Sequence, residues 1–155
     1  MEFWMFETPL GNIAVGEEDG AIVRVYLPGQ PTPRLMPHKT PLLERAEAQI
    51  LEYLNGKRQV FDLPLSPAGT PFQRKVWTAL QEIPYGQTRT YGQVACSVDC
   101  PGGARAVGMA NHHNPIPILI PCHRVVGAKG QLTGYAGGME LKAALLALEQ
   151  GKNTR

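Results

Sequence analysis

Thirteen residues, Asn114-Pro-Ile-Pro-Ile-Leu-Ile-Pro-Cys-His-Arg-Val-Val126, constrain this chain more than any other stretch. Pro115, Pro117 and Pro121 fix φ and restrict the residues before them, so the segment reads as rigid, extended chain. Ile116, Ile118, Leu119 and Ile120 are apolar enough to be buried. The run therefore carries Cys122 at a fixed depth. A reactive thiol needs a fixed position and a nearby base, because the thiolate is the nucleophile. A free cysteine that is merely buried fits the same residues.

The rest of the chain supplies context. An odd number of cysteines, three in 155 residues, argues against a disulfide framework and for a reducing, cytoplasmic setting. The opening Met-Glu-Phe-Trp-Met-Phe is too short for a signal or a membrane span. Residues 1–71 hold 6 Lys/Arg against 9 Asp/Glu, whereas residues 72–131 hold 6 against 2. The basic excess thus lies in the part containing Cys122. A polyanion such as nucleic acid would suit it, and so would ordinary solvated charge.

Short β-rich runs at 2–7, 12–15 and 21–27 predict an antiparallel meander. Five prolines mark residues 28–41 as an extended surface linker. A helix over about 41–55 follows, with Leu43, Ala46, Ile50 and Leu54 as its apolar stripe and Gly56 as its stop. Ser66-Pro-Ala-Gly-Thr-Pro71 breaks the composition, which divides the chain into residues 1–65 and 66–155. Thr70 and Pro71 open the next helix as N-cap and first residue. Its repeat is Phe72, Val76 and Leu80, and Trp77 reads as core. Two short helical segments, at 90–96 and 104–111, are joined by a Gly-containing turn in the manner of a helix-turn-helix. Ala104, Ala106, Gly108 and Ala110 give the second a narrow body from which Arg105 projects. That shape suits close approach to a shallow groove or to a neighbouring helix. The glycine-rich stretch 127–138 lacks the Lys-Ser/Thr ending of a phosphate loop. The last helix spans 139–150, with Leu141, Leu145, Leu146 and Leu148 apolar.

Adjacent in sequence, Cys122 and His123 diverge in any regular backbone, so a water between thiol and imidazole is the expected link. Glu149, Asp99 and Glu82 are the carboxylates that could orient the histidine. Zinc is not expected: Cys96 and Cys100 lack the Cys-x2-Cys spacing, and adjacent Cys-His ligands are strained.

Gly69-Thr-Pro-Phe-Gln73, Ile83-Pro-Tyr-Gly86, Thr90-Tyr-Gly-Gln93, Ala104-Arg-Ala-Val-Gly108, Asn114-Pro115, Ile120-Pro-Cys-His-Arg-Val-Val126 and Thr133-Gly-Tyr-Ala-Gly-Gly138 stand in a specific order. With it the chain closely resembles the O6-alkylguanine-DNA alkyltransferases, densely over residues 66–151. The resemblance implies an α+β protein: a small ribonuclease-H-like N-terminal sheet with a helix, then a mainly helical, winged-helix-like domain with the helix-turn-helix. It implies irreversible transfer of an alkyl group from O6 of guanine (or O4 of thymine) in double-stranded DNA to Cys122, after the nucleotide is flipped through the minor groove. His123 would be the water-linked base, Glu149 its orienting carboxylate, and Asn114 the residue holding the active-site turn. Arg105 would fill the gap left by the flipped nucleotide, on a helix that Ala104 and Gly108 let approach DNA. Tyr91 would help rotate the nucleotide and donate toward the base. Tyr135 and the backbone of Val125 and Ala136 would line the pocket, Ala136 replacing a serine common in the family. No metal, cofactor or membrane is implied, a monomer is expected, and the zinc-binding extension of adaptive-response members, with its transcriptional role, is not expected. Alkyltransferase-like lesion sensors share the architecture, but they carry another residue where this chain has Cys122.

Overall fold

The computed structural model describes residues 1–135 and 137–151. It divides into two compact units between Ala68 and Gly69. In the first, β1 (Glu2–Thr8), β2 (Gly11–Glu18) and β3 (Ala21–Tyr26) form an antiparallel meander in the order β1-β2-β3. Register pairs Phe6 with Ile13 and Trp4 with Val15, and a bulge at Gly16/Glu17 shifts the β2–β3 ladder. Phe3, Phe6, Ile13, Val15, Ile22 and Val25 are the buried core of the sheet, with Phe6, Ile13, Val15 and Val25 on one face by their pairing. Helix α1 (Pro41–Leu54) closes that core with Leu43, Ala46, Ile50 and Tyr53. Tyr53, rather than the expected Leu54, ends the buried stripe, because it continues the three- and four-residue spacing from Ile50 and Ala46. Thr40 caps α1 by accepting from Leu43 N at 3.1 Å. The proline-rich linker is pinned where His38 N donates to Phe3 O at 2.9 Å.

The second unit opens with α2 (Pro71–Gln81), begun by a reciprocal capping box between Thr70 and Gln73. Gly69 is required there: a Cβ would lie 2.5 Å from the Trp77 ring. Val76, Trp77 and Leu80 are the buried face, and Trp77 Nε1 donates to Ala110 O at 2.8 Å. Strand β4 (Arg89–Thr90) leads directly into α3 (Tyr91–Ser97), which has a second capping box between Thr90 and Gln93. Asp99, at φ 57°, ends α3, with Cys100 N bonded back to Ala95 O at 2.9 Å. Helix α4 (Ala104–His112) follows and packs on both α2 and α3. The helix-turn-helix is therefore α3–α4, beginning and ending one residue from its expected bounds.

Residues 114–121 are not the extended rod that three prolines suggest. Ile120 N donates to Ile116 O at 2.9 Å, and Ile118 takes φ 73°, a left-handed conformation that β-branched residues resist. Asn114 stabilises this reversal with both ends of its carboxamide: Oδ1 accepts from Ile116 N at 3.0 Å, and Nδ2 donates to Ile120 O at 2.9 Å. Cys122–Arg124 then form one 3-10 turn, leading into β5 (Val125–Val126). Strand β5 pairs in parallel with β4, Arg89 against Val125 and Thr90 against Val126, a pairing too short to leave a periodic signal. It sets the start of α3 beside the chain leaving Cys122. Helix α5 (Met139–Glu149) completes the unit. Its buried residues are Lys142, Leu145, Leu146 and Glu149, whereas Leu141 and Leu148 of the expected stripe are only half-buried.

Candidate active site

Cys122, His123 and Arg124 are consecutive and all buried, on a turn that advances about 120° per residue. Thiol, imidazole and guanidinium thus leave the backbone in three directions. The imidazole and the guanidinium meet again at one carboxylate. His123 Nε2 lies 2.7 Å from Glu149 Oε2, while Arg124 donates from Nε to Oε1 at 2.8 Å and from Nη2 to Oε2 at 2.9 Å. Gly86 N adds a contact to Oε1 at 3.3 Å, from a turn whose φ of 81° favours glycine. Arg124 Nη1 also donates to Ile83 O at 2.7 Å. Of the three candidate carboxylates, Glu149 is the one joined to His123; Glu82 is exposed, and exposed Asp99 lies 3.8 Å from Lys75 Nζ.

Protonation follows from this wiring. A carboxylate only accepts, so Nε2 carries the hydrogen of the neutral ring and Nδ1 is the basic nitrogen. Burial holds the His123 pKa below 6.5, outweighing the hydrogen bond and charge of Glu149. Burial pushes the Cys122 thiol up to about 11; a hydrogen bond from Asn114, the nearby Lys142 charge and a hydrogen bond from Tyr135 pull the other way. At neutral pH the pair rests as thiol and neutral imidazole. The carboxylate's charge is offset by Arg124, which also answers the cost of an acid at a helix C-terminus.

Lys142 is fully buried, donating from Nζ to Val125 O at 2.6 Å and Thr133 O at 2.8 Å. Desolvation lowers its pKa, against a pull upward from Cys122. It ties the chain after Cys122 to the glycine-rich loop. From that loop Tyr135 is buried against the thiol, and Thr133 Oγ1 lies 2.6 Å from the hydroxyl of half-buried Tyr91. Tyr91 is the first residue of α3, and its ring is 3.9 Å from where a Cβ on Gly108 of α4 would lie. Arg105 is exposed on α4, and Ala104 is half-buried beside it. Ala136 lies outside the described residues.

Sequence reasoning missed Arg124, Lys142 and Asn111, whose Nδ2 donates to Cys122 O at 3.2 Å. Lys142 could have been found from its spacing to Glu149. The two lie seven residues apart with Leu145 and Leu146 between, so all four share one helix face.

Fold and site together define a helix-turn-helix protein that holds a buried thiol beside a carboxylate-oriented histidine. Residues 71–151 match the model for the DNA-binding domain of 6-O-methylguanine DNA methyltransferases, and residues 3–67 match their ribonuclease-like domain. The constitutive methylated-DNA–protein-cysteine methyltransferase of Bacillus subtilis is 48% identical over 152 residues, spanning 93% of this chain and 92% of that protein. A methylated-DNA–protein-cysteine methyltransferase of Methanosarcina acetivorans is 44% identical over 96% of this chain and 98% of its own length. The crystal structure of Mycobacterium tuberculosis OGT in complex with DNA superposes with a TM-score of 0.90 at 42% identity, covering 98% of this chain and 94% of that one. The chain belongs to the 6-O-methylguanine DNA methyltransferase family.

Proposed function

We propose that this protein repairs O6-alkylguanine in double-stranded DNA by moving the alkyl group irreversibly to Cys122. The observation that carries the assignment to this residue is the buried Cys122–His123 turn locked to Glu149, in the same unit as α3–α4. A thiol buried inside the protein cannot reach the edge of a base held in the duplex, so the nucleotide must be extruded into the pocket before transfer. Arg105, exposed on the narrow α4, fills the vacated stack and offsets part of the unstacking cost. Tyr91 donates toward the base, and Tyr135 with the backbone of Val125 lines the pocket.

Transfer is a displacement at carbon. The thiol proton passes through a water to Nδ1 of His123, and Glu149 stabilises the imidazolium. Sulfur forms its bond to the alkyl carbon as the carbon–O6 bond breaks. The electron pair leaves with guanine, which regains one proton. The thioether has no leaving route, so each chain acts once. O4-alkylthymine, with the same exocyclic ether, is a second substrate. Among the described residues no helix is long and apolar enough to cross a membrane; the proposed setting is cytoplasmic, and the proposed unit a monomer on DNA.

Incubating the protein with a duplex carrying one O6-methylguanine and mapping peptides by mass spectrometry tests the assignment. A methyl on the Cys122 peptide supports it. Tight binding with no mass gain would replace it with a lesion sensor.

A further inference from the structure

Asn111 occupies the last turn of α4, the helix proposed to meet DNA, yet its side chain points away from solvent and is 3% exposed. Nδ2 donates to Cys122 O, and a flipped amide would set oxygen against oxygen, so the orientation is fixed. The carbonyl it holds belongs to the peptide joining the thiol residue to its base. The preceding Ala110 O is held by Trp77 Nε1, which anchors this turn of α4 in the core. Oδ1 is also buried and receives no hydrogen bond from the described protein groups. Buried carboxamide oxygens without a donor are rare, and an ordered water is their usual partner. An asparagine kept only for packing would not need that acceptor, since leucine has nearly its shape.

We propose that Asn111 is a positioning residue for alkyl transfer: Nδ2 fixes the Cys122–His123 peptide to the DNA-facing helix, and Oδ1 orients the water that carries the thiol proton to His123. The inference rests on Cys122 being the alkyl acceptor. Through this link α4 and the thiol cannot shift independently, so docking of the helix and alignment of the nucleophile are one event. The proton balance is closed: the thiol loses one proton, the imidazole gains it, and the water is regenerated. The charged and titratable groups around the thiol are Tyr135 of the loop, His123 and Arg124 of the turn, and Lys142 and Glu149 of α5. His112, on the same helix as Asn111, and His113, which follows its last residue, are exposed.

The test measures single-turnover methyl transfer from an O6-methylguanine duplex, with saturating full-length protein, across about pH 6 to 9. Thermal unfolding and duplex affinity are recorded for each variant. Asn111→Leu should bind duplex as tightly as the parent but transfer on the order of ten- to a hundred-fold more slowly, toward the lower end of a general-base contribution. Asn111→Ala leaves space for a water and should transfer faster than Asn111→Leu while being less stable. A packing role gives the opposite ranking, with rate following stability. In Asn111→Asp, ionisation places a negative charge beside the peptide carbonyl and the forming thiolate, so its rate should fall as pH rises. Parent-like rates and pH profiles in the leucine and aspartate variants, or rates that track stability across all three, would overturn the proposal. Failure of the parent itself to methylate Cys122 would instead overturn the reading on which it rests.

Discussion

Replacing Arg124 by methionine tests the wiring of the site most severely. The substitution keeps much of the side chain's length and apolar bulk but removes two charge-assisted hydrogen bonds to Glu149, at 2.8 and 2.9 Å, and one to Ile83 O at 2.7 Å. The Glu149 side chain has no solvent exposure, so water cannot replace the lost donors. Removing one partner of a buried ion pair costs about 3–5 kcal/mol, most of it the stranded charge. For a chain of this size that lowers the melting temperature by roughly 6–20 °C. The double variant Arg124→Met, Glu149→Gln removes the stranded charge and should recover about half of the loss or more. Thermal and urea unfolding of the parent, the two single variants and the double variant close the cycle. Transfer should also fall in Arg124→Met, because an uncompensated Glu149 holds His123 as the imidazolium, which cannot accept a proton. A destabilisation below about 1 kcal/mol, as for an exposed pair, would refute the reasoning.

Two further outcomes follow from the proton inventory and from α4. His123 is held neutral above its lowered pKa, so the parent's rate should be flat above about pH 7 and fall only as acid protonates the imidazole through a pKa below 6.5. His123→Gln loses the internal base; its rate should rise about tenfold per pH unit toward the thiol pKa of about 11. A flat profile in that variant would mean the thiolate forms without His123. Arg105→Ala should slow repair in duplex by about tenfold or more while leaving transfer from free O6-methylguanine base unchanged, since only the duplex requires stack replacement. Equal losses on both substrates would remove Arg105 from flipping.

The helices were legible from apolar spacing, and one of them from its start. Thr70 before Pro71 marked the start of α2, and apolar spacing behind it fixes the buried face; Thr40 and Thr90 also cap helices but went unread, and α4 and α5 begin without a side-chain cap. The buried cluster around Cys122 was legible only in part. Motif order pointed to Cys122, His123 and Glu149, but choosing Glu149 over Glu82 and Asp99 on physical grounds requires the packing of α5 on the 122–124 turn. Arg124, Lys142 and Asn111 escaped notice because polar residues inside a helix or beside a motif read as solvent-facing until a partner is seen. The rod at 114–121 failed for a different reason. Proline fixes φ at its own position, but the Asn114 carboxamide and the Ile116–Ile120 hydrogen bond set the path between prolines. The reversal leaves Cys122 buried against Asn114 and Tyr135, where an extended strand would leave adjacent residues on opposite faces.

The claim on which everything else depends is that this chain takes up one alkyl group on one thiol and then stops. Intact-mass measurement of the protein titrated with increasing excess of O6-methylguanine duplex tests it directly. The gain should plateau at one methyl per chain and be absent from Cys122→Ala, which still binds the duplex. A gain that persists in Cys122→Ala, or continues past one methyl, would contradict it.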